Sequence, residues 1–383
     1  MPRLLYLFAL CNLVIGTGAF VISGILAPIS MSLGVSIATS GQAMTAYALS
    51  TAVLAPLALV LTGSWPRRRA LAFGMAVFAA GNALCALAPS FTVLLTGRVL
   101  MGVGAMFTPI AAGIAVALVE PARRGRALSL VFLGISLSYV IGLPLGAWLG
   151  FRFGWQWPVG MVAVVALLSF GALLLLLPRD IAAPGASFKG LGELLARGPV
   201  MWTLSLTLLY FTAIFVVFAY IGPVLQALQP MSGTRMSVTL ALFGVSGVVG
   251  TLVGGWANDR FGARRTLLVQ LGVLGAMMAL LPLTRGHYEA MVLTLLVWGT
   301  AGFGMMAPQQ SRLAVLSPAQ APVLLSLNTS MLYFGTALGA AIGGVAAAQV
   351  EFARLAWVGV PFAIAGLATL WMGAGRRGHF KPA

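Results

Sequence analysis

Among the residues able to do chemistry, Arg98 is the one whose position demands a reason. It opens the segment Arg98-Val-Leu-Met-Gly102-Val-Gly104, about seven residues inside an apolar run. At 1.5 Å per residue that is ~10 Å below the end of a helix. In a membrane an arginine at that depth is expensive unless it faces protein, water or a counter-charge. Two readings follow: it braces the helices around it, by snorkelling or by bonding helix carbonyls, or it faces a central cavity and acts on a substrate or a proton site. A counter-charge is hard to find. The six acids are Glu120, Asp180, Glu193, Asp259, Glu289 and Glu351, and each falls in a loop or at a helix end. The two histidines, His287 and His379, fall in a loop and in the C-terminal tail. A buried carboxylate that takes up and releases protons is the simplest device for coupling to a proton gradient, and no acid is placed to serve. Cys11 and Cys85 sit inside apolar runs and read as small buried hydrophobes. With no metal cluster, acid pair or histidine inside the apolar runs, neither a metal nor a cofactor is expected, and a membrane-embedded enzyme lacks its tools. The other polar cue is Asn258-Asp259-Arg260-Phe-Gly262-Ala-Arg264-Arg265. An acid beside a turn glycine and arginines can latch a helix end in one conformation and release it in another, or it can be ordinary loop decoration.

The elements that hold these residues are set by composition. A chain of 383 residues that is 60% hydrophobic and 7% charged, with mean hydropathy +1.03, has too little polar surface for a water-soluble globule. At roughly 20 apolar residues per crossing there is room for about twelve spans. Apolar runs predict helices at 4–29, 40–64, 70–88, 91–118, 126–150, 157–177, 200–228, 236–257, 265–284, 288–315, 319–348 and 352–374. The first run is longer than the core of a cleavable signal. The polar stretch between runs six and seven divides the chain into an N-terminal bundle at 1–178, a cytoplasmic linker at 179–199 and a C-terminal bundle with a short tail at 200–383.

The net charge of +16 invites nucleic acid as a partner until its distribution is read. With the N-terminus inside, the inner loops carry Arg3, Arg67 to Arg69, Arg123, Arg124, Arg126, the linker's Arg179, Lys189 and Arg197, then Arg260, Arg264, Arg265, Arg312 and the tail's Arg376, Arg377 and Lys381. The outer loops hold Arg152, Arg235, Arg285 and Arg354. That is seventeen against four, the pattern of membrane orientation with both termini cytoplasmic. The bilayer is the partner, and nucleic acid is not.

A repeat organises the whole. Gly142, Gly146 and Gly150 recur every fourth residue, a helical ridge without side chains on which a second backbone can pack, and Pro144 interrupts that helix. Adding 193 to each position gives Gly335, Gly339 and Gly343, glycine again. Repeated halves in an apolar chain mark transporters that move one half against the other around a midplane site. The fold class expected is therefore an all-α membrane protein, twelve transmembrane helices in two pseudo-symmetric six-helix bundles.

On these residues the sequence resembles the major facilitator superfamily, in its drug and sugar efflux branch, arabinose-efflux-permease-like and akin to drug:proton antiporters. Gly254-Gly-Trp-Ala-Asn-Asp259-Arg260-Phe-Gly262-Ala-Arg264-Arg265 is similar to the family's loop signature, which latches the inward gate in relatives. Arg98 with Gly102 and Gly104 is similar to the helix 4 motif of proton coupling. Gly142, Pro144, Gly146 and Gly150 are similar to the helix 5 signature of exporters. Phe218-Ala-Tyr-Ile-Gly-Pro223 and Leu325-Ser-Leu-Asn328 also fit the branch. Three departures stand out. Gly63-Ser-Trp-Pro-Arg67-Arg68-Arg69 lacks the acid of the full loop signature. Gln156 follows Trp155 where relatives often have arginine. Ala19, in Gly16-Thr17-Gly18-Ala19-Phe20-Val21, stands where many relatives carry glutamate, at about the depth of Arg98.

The resemblance implies a cavity lined by helices 1, 4, 7 and 10. Here these offer Asn12, Thr17, Phe20, Arg98, Tyr210, Phe211, Phe215, Tyr220 and Trp298, with Gln309 and Gln310 on helix 10 and Asn328 on helix 11. It implies a secondary transporter of small molecules, monomeric, in a bacterial inner membrane, with protons as the coupling ion of relatives. An arginine without a carboxylate favours neutral or anionic solutes over cations in a low-dielectric space. An energy-independent facilitator or exchanger, and a non-transporting receptor on the same scaffold, remain as alternatives.

Overall fold

In lipid a backbone amide has no water to bond, so long apolar runs close their hydrogen bonds within a helix. The computed structural model describes residues 3–120, 123–178, 181, 195–316 and 320–375. Twelve helices there are long and apolar enough to cross a membrane: α1 Leu4–Gly24, α2 Ile37–Leu61, α3 Arg67–Ala86, α4 Phe91–Ala117, α5 Arg126–Phe153 and α6 Gln156–Leu176, then α7 Gly198–Phe218, α8 Gly233–Phe261, α9 Ala263–Thr284, α10 Tyr288–Leu316, α11 Val323–Ala347 and α12 Phe352–Trp371. Most of the expected linker and the tail beyond Gly375, with Asp180, Lys189, Glu193, Arg376, Arg377, His379 and Lys381, lie outside the described residues.

The sequence pattern runs helices 1 and 7 too long. Each stops and restarts as a short helix, Leu26–Leu33 after α1 and Ile221–Leu228 after α7. Helices α4 and α10 also break, at Ala105–Met106 and at Gly304–Met305. One cause serves all four places. A proline lies four residues beyond Gly24, Ala105, Ala219 and Gly304, namely Pro28, Pro109, Pro223 and Pro308. A proline ring clashes with the carbonyl four residues back and brings no amide to bond it. At the α4 break the Ala105 carbonyl accepts instead from the amide of Thr108, 3.2 Å away. The same device recurs at matching places in both halves of the chain. In α5 the proline acts differently, with a π-helical turn at Ser138–Gly142 just before Pro144.

The chain forms two compact units. One comprises Met1–Phe188, Ala219–Pro223 and Met231–Gly244, the other Lys189–Phe218, Val224–Pro230 and Val245–Ala383. In unit 1 the α5 ridge lies on α1: side chains added at Gly142, Gly146 and Gly150 would overlap Thr17, Val21 and Ile25, one helical turn apart. In unit 2 the α11 ridge lies on α7, with Gly335 against the Leu208 carbonyl and Phe211, and Gly339 against the Thr212 carbonyl and Phe215. Gly343 continues that row and is buried. Glycine removes the Cβ that would hold such backbones apart.

The basic residues at the starts of α3 and α9 also match. Arg68 donates to the Leu174 carbonyl near the end of α6, and Arg264 donates to the Leu370 carbonyl near the end of α12, at 3.3 Å. Cations at helix C-termini satisfy unpaired carbonyls and complement the helix dipole.

Candidate functional site

Arg98 is completely enclosed in unit 1. Its Nε donates to the Ala43 carbonyl of α2 at 3.0 Å. Nη1 donates to the Gly18 carbonyl and Nη2 to the Ala19 carbonyl of α1, each at 2.7 Å. The guanidinium carbon stands 4.7 Å from the centre of the Tyr47 ring, a cation–π contact that adds to the three charge-assisted bonds. One side chain on α4 thus ties down α1 and α2. Residue 19 does meet Arg98, through its carbonyl and not its side chain. The described acids, Glu120, Asp259, Glu289 and Glu351, are all exposed, so no carboxylate among the described residues joins the guanidinium.

A second knot in unit 1 uses Asn12, also fully buried. Its Nδ2 donates to the Val131 carbonyl of α5 at 2.9 Å, and its Oδ1 accepts from the Thr108 hydroxyl of α4 at 2.7 Å. Both ends of the amide are engaged, and three helices are joined. Thr17 donates to the Leu13 carbonyl of its own helix at 2.7 Å. Phe20 stacks on Tyr139 with ring centres 4.8 Å apart. Tyr220, which belongs to this unit, donates its hydroxyl to the Ala38 carbonyl at 3.2 Å, and its ring fills the space left by Gly41.

In unit 2 the Tyr210 hydroxyl lies 2.8 Å from the Ala301 carbonyl and 2.7 Å from that of Gly302. Those carbonyls are among the last four of the first segment of α10, which the break leaves without helical partners.

Just past that break begins a chain of hydrogen bonds whose direction can be derived atom by atom. Arg312 Nη1 has only protons to give, so at 3.1 Å it fixes its partner on Gln309 as Oε1. Gln309 Nε2 then gives its two protons to the Thr203 carbonyl at 2.7 Å and the Thr207 hydroxyl at 3.0 Å. The Thr207 oxygen, already accepting, donates to Asn328 Oδ1 at 2.6 Å. What is left over is Asn328 Nδ2, buried and without a hydrogen-bond partner. Every link donates in the same sense, from a cation to an open donor, and such chains polarise one another.

Of the other cavity candidates, Phe211 and Phe215 stack on one side of α7, ring centres 6.2 Å apart. Trp298 is buried, and Gln310 is exposed. The structure therefore gathers Arg98 with neither Asn12 nor Phe20 in direct hydrogen bonding, but does gather Gln309 with Asn328. Tyr47, Thr108, Thr207 and Arg312 were not singled out by the sequence. The spacing of Gln309 and Arg312, three residues apart on one helix face, was the signal available for the last of these.

At the gate candidates, Gly262 takes φ +80 between α8 and α9, a left-handed conformation that glycine adopts without strain. Asp259, Arg260 and Arg265 are exposed, and Arg264 bonds α12 as described. Asp259 accepts from the Asn258 amide at 3.3 Å.

The Major Facilitator Superfamily signature matches residues 8–323 and again 231–382. The chain belongs to the major facilitator superfamily. It is 33% identical over 363 residues to the inner membrane transport protein YdhP of Escherichia coli (strain K12), covering 93% of this chain and 91% of that one. It is 30% identical over 356 residues to the MFS-type transporter YbcL of Bacillus subtilis (strain 168), with 93% and 91% covered. Its fold is similar to that of a bacterial homologue of the human lysosomal transporter Spinster, solved inward-facing and occupied, with TM-score 0.80, 18% identity and 99% and 98% of the chains covered. This member of the superfamily is a multi-pass membrane protein with twelve candidate spans among its described residues, and its family makes it a transporter and not an enzyme.

Proposed function

We propose that this transporter exports small neutral or anionic organic solutes by alternating access, as a monomer of the drug and sugar efflux branch. We place it in a bacterial inner membrane with both termini cytoplasmic. The observation that carries the substrate class is Arg98, a guanidinium buried in a membrane span, held by carbonyls and joined by no carboxylate among the described residues. Its charge is not cancelled, and a cation approaching it in low dielectric is repelled. The donor chain ending at Asn328 Nδ2 supports the same class, since an open donor suits a solute that brings a carbonyl or carboxylate oxygen. The name of YdhP supports the location, and the asymmetry of basic loops supports the orientation.

The carbonyl partners of Arg98 also favour a second reading of the energetics, exchange or facilitated flux without proton coupling. The test is flux from proteoliposomes, using a neutral sugar or nucleoside, an aromatic carboxylate and a cationic dye, each with and without an imposed pH gradient. Movement of the neutral and anionic solutes alone is the expected result. Gradient-driven transport of the dye would overturn the substrate class. Acceleration of the favoured solutes by the gradient would establish coupling and remove the exchange reading.

A further inference from the structure

Unit 2 contains a recess of about 330 Å³ between α8, α9 and α10. Its walls include Val253, Val269, Val273 and Val297, and its polar groups are Gln270 and Thr300. The Thr300 hydroxyl donates within the protein, to the Leu296 carbonyl of its own helix at 2.8 Å with the Ser246 carbonyl a longer second acceptor at 3.4 Å. Gln270 differs. Its side chain is more than nine-tenths buried, at 8% exposed, and its Oε1 has no hydrogen-bond partner. The amide lies against Gly304 at the break in α10, where α8 crosses so closely that side chains at Gly250 and Gly254 would overlap the Thr300 and Gly304 carbonyls. At the mouth, Val253 and Val269 are 44% and 66% exposed. Among the described residues no charged side chain lines the recess. An amide oxygen left open in a membrane span is unfavourable, because lipid tails offer it no proton. The volume falls at the small end of ligand pockets, about 300–1,000 Å³, too small for a whole phospholipid.

We propose that this recess binds a bilayer-dissolved apolar molecule that carries one hydroxyl, of the size of a medium-chain alcohol. The alkyl chain lies on the valines and the hydroxyl donates to Gln270 Oε1. Rotation about the last side-chain torsion, which is broad for glutamine, turns that oxygen toward the recess. Because the amide borders the α10 break, the occupant rests against the point at which that helix bends.

The test needs no transport and does not depend on the proposed substrate. The whole protein in phospholipid nanodiscs is irradiated with an octanol-sized alkanol bearing a diazirine, and separately with the matching alkane, and labelled peptides are mapped by mass spectrometry. The alkanol is expected to mark the stretches around Val269–Val273 and Leu296–Thr300, and octan-1-ol but not octane is expected to compete. Gln270→Leu should lower alkanol labelling there about tenfold, the worth of one hydrogen bond at the strong end of its range, and leave alkane labelling unchanged. Val273→Trp should remove both. Labelling spread evenly over the exposed helices, equal competition by octane, or indifference to Gln270→Leu with the variant folded would each overturn the site.

Discussion

In unit 1 the donor sits on α4 and reaches back to the carbonyls of α1 and α2, whereas in unit 2 it sits on α7 and reaches forward to the carbonyls of α10. The first donor is a guanidinium with three bonds, the second a phenol with one proton shared between two oxygens. The amide knots differ too. Asn12 has both ends engaged, while the chain through Gln309 and Thr207 leaves Asn328 with a donor to spare. Two halves that share helix breaks, glycine ridges and arginines at matching helix starts thus have a common frame and different polar fastenings. The frame sets where helices bend and pack. The fastenings set which half carries buried charge and which carries an open hydrogen-bond donor.

Cutting the two fastenings tests most directly whether the halves differ in this way. Arg98→Ala removes three charge-assisted bonds together with a fully buried side chain, and by comparison with truncating other large buried side chains should cost about 2–5 kcal/mol. The purified variant should show a correspondingly lower thermal midpoint, and Arg98→Lys should recover only part of it because an ammonium lacks the fork geometry. A midpoint equal to wild type would mean that Arg98 braces nothing. Next in size is Asn12→Leu, expected to lose roughly 1–3 kcal/mol by stranding the Thr108 hydroxyl and the Val131 carbonyl. Asn328→Leu should cost less stability than Asn12→Leu and more flux, specifically of solutes with a carbonyl or carboxylate oxygen. The reverse ranking in thermal and flux assays would erase the distinction between the knots. Tyr210→Phe, which removes a single hydroxyl donor, should lower stability by about 1 kcal/mol. The smallest effects belong to Arg68→Ala and Arg264→Ala, about 0.3–1 kcal/mol each. Unequal losses there, read from denaturation midpoints, would show that the two helix ends are not equivalent.

The frame is legible in the sequence because it rests on repeated, type-specific signals: apolar run length, spacing of polar breaks, and glycine every fourth residue. The breaks in α1, α4, α7 and α10 were equally written in the chain, as prolines four residues after Gly24, Ala105, Ala219 and Gly304, yet hydropathy is blind to them because proline and its neighbours leave an apolar run apolar. Arg98 shows a different limit. Its acceptors are carbonyls, which every residue possesses, so residue type does not reveal them as a set of acidic side chains would. The order Arg312, Gln309, Thr207, Asn328 depends on three helices meeting at one level, which spacing along a single helix does not encode.

Because the guanidinium is gripped by peptide oxygens at positions 18, 19 and 43, side-chain exchanges at 19 and 43 leave those acceptors in place so long as the helices keep their course. On the donor side the junction depends on the identity of residue 98, while on the acceptor side it depends on the backbone path and not on residue type. An alanine at position 19 thus serves this anchorage through its peptide oxygen alone.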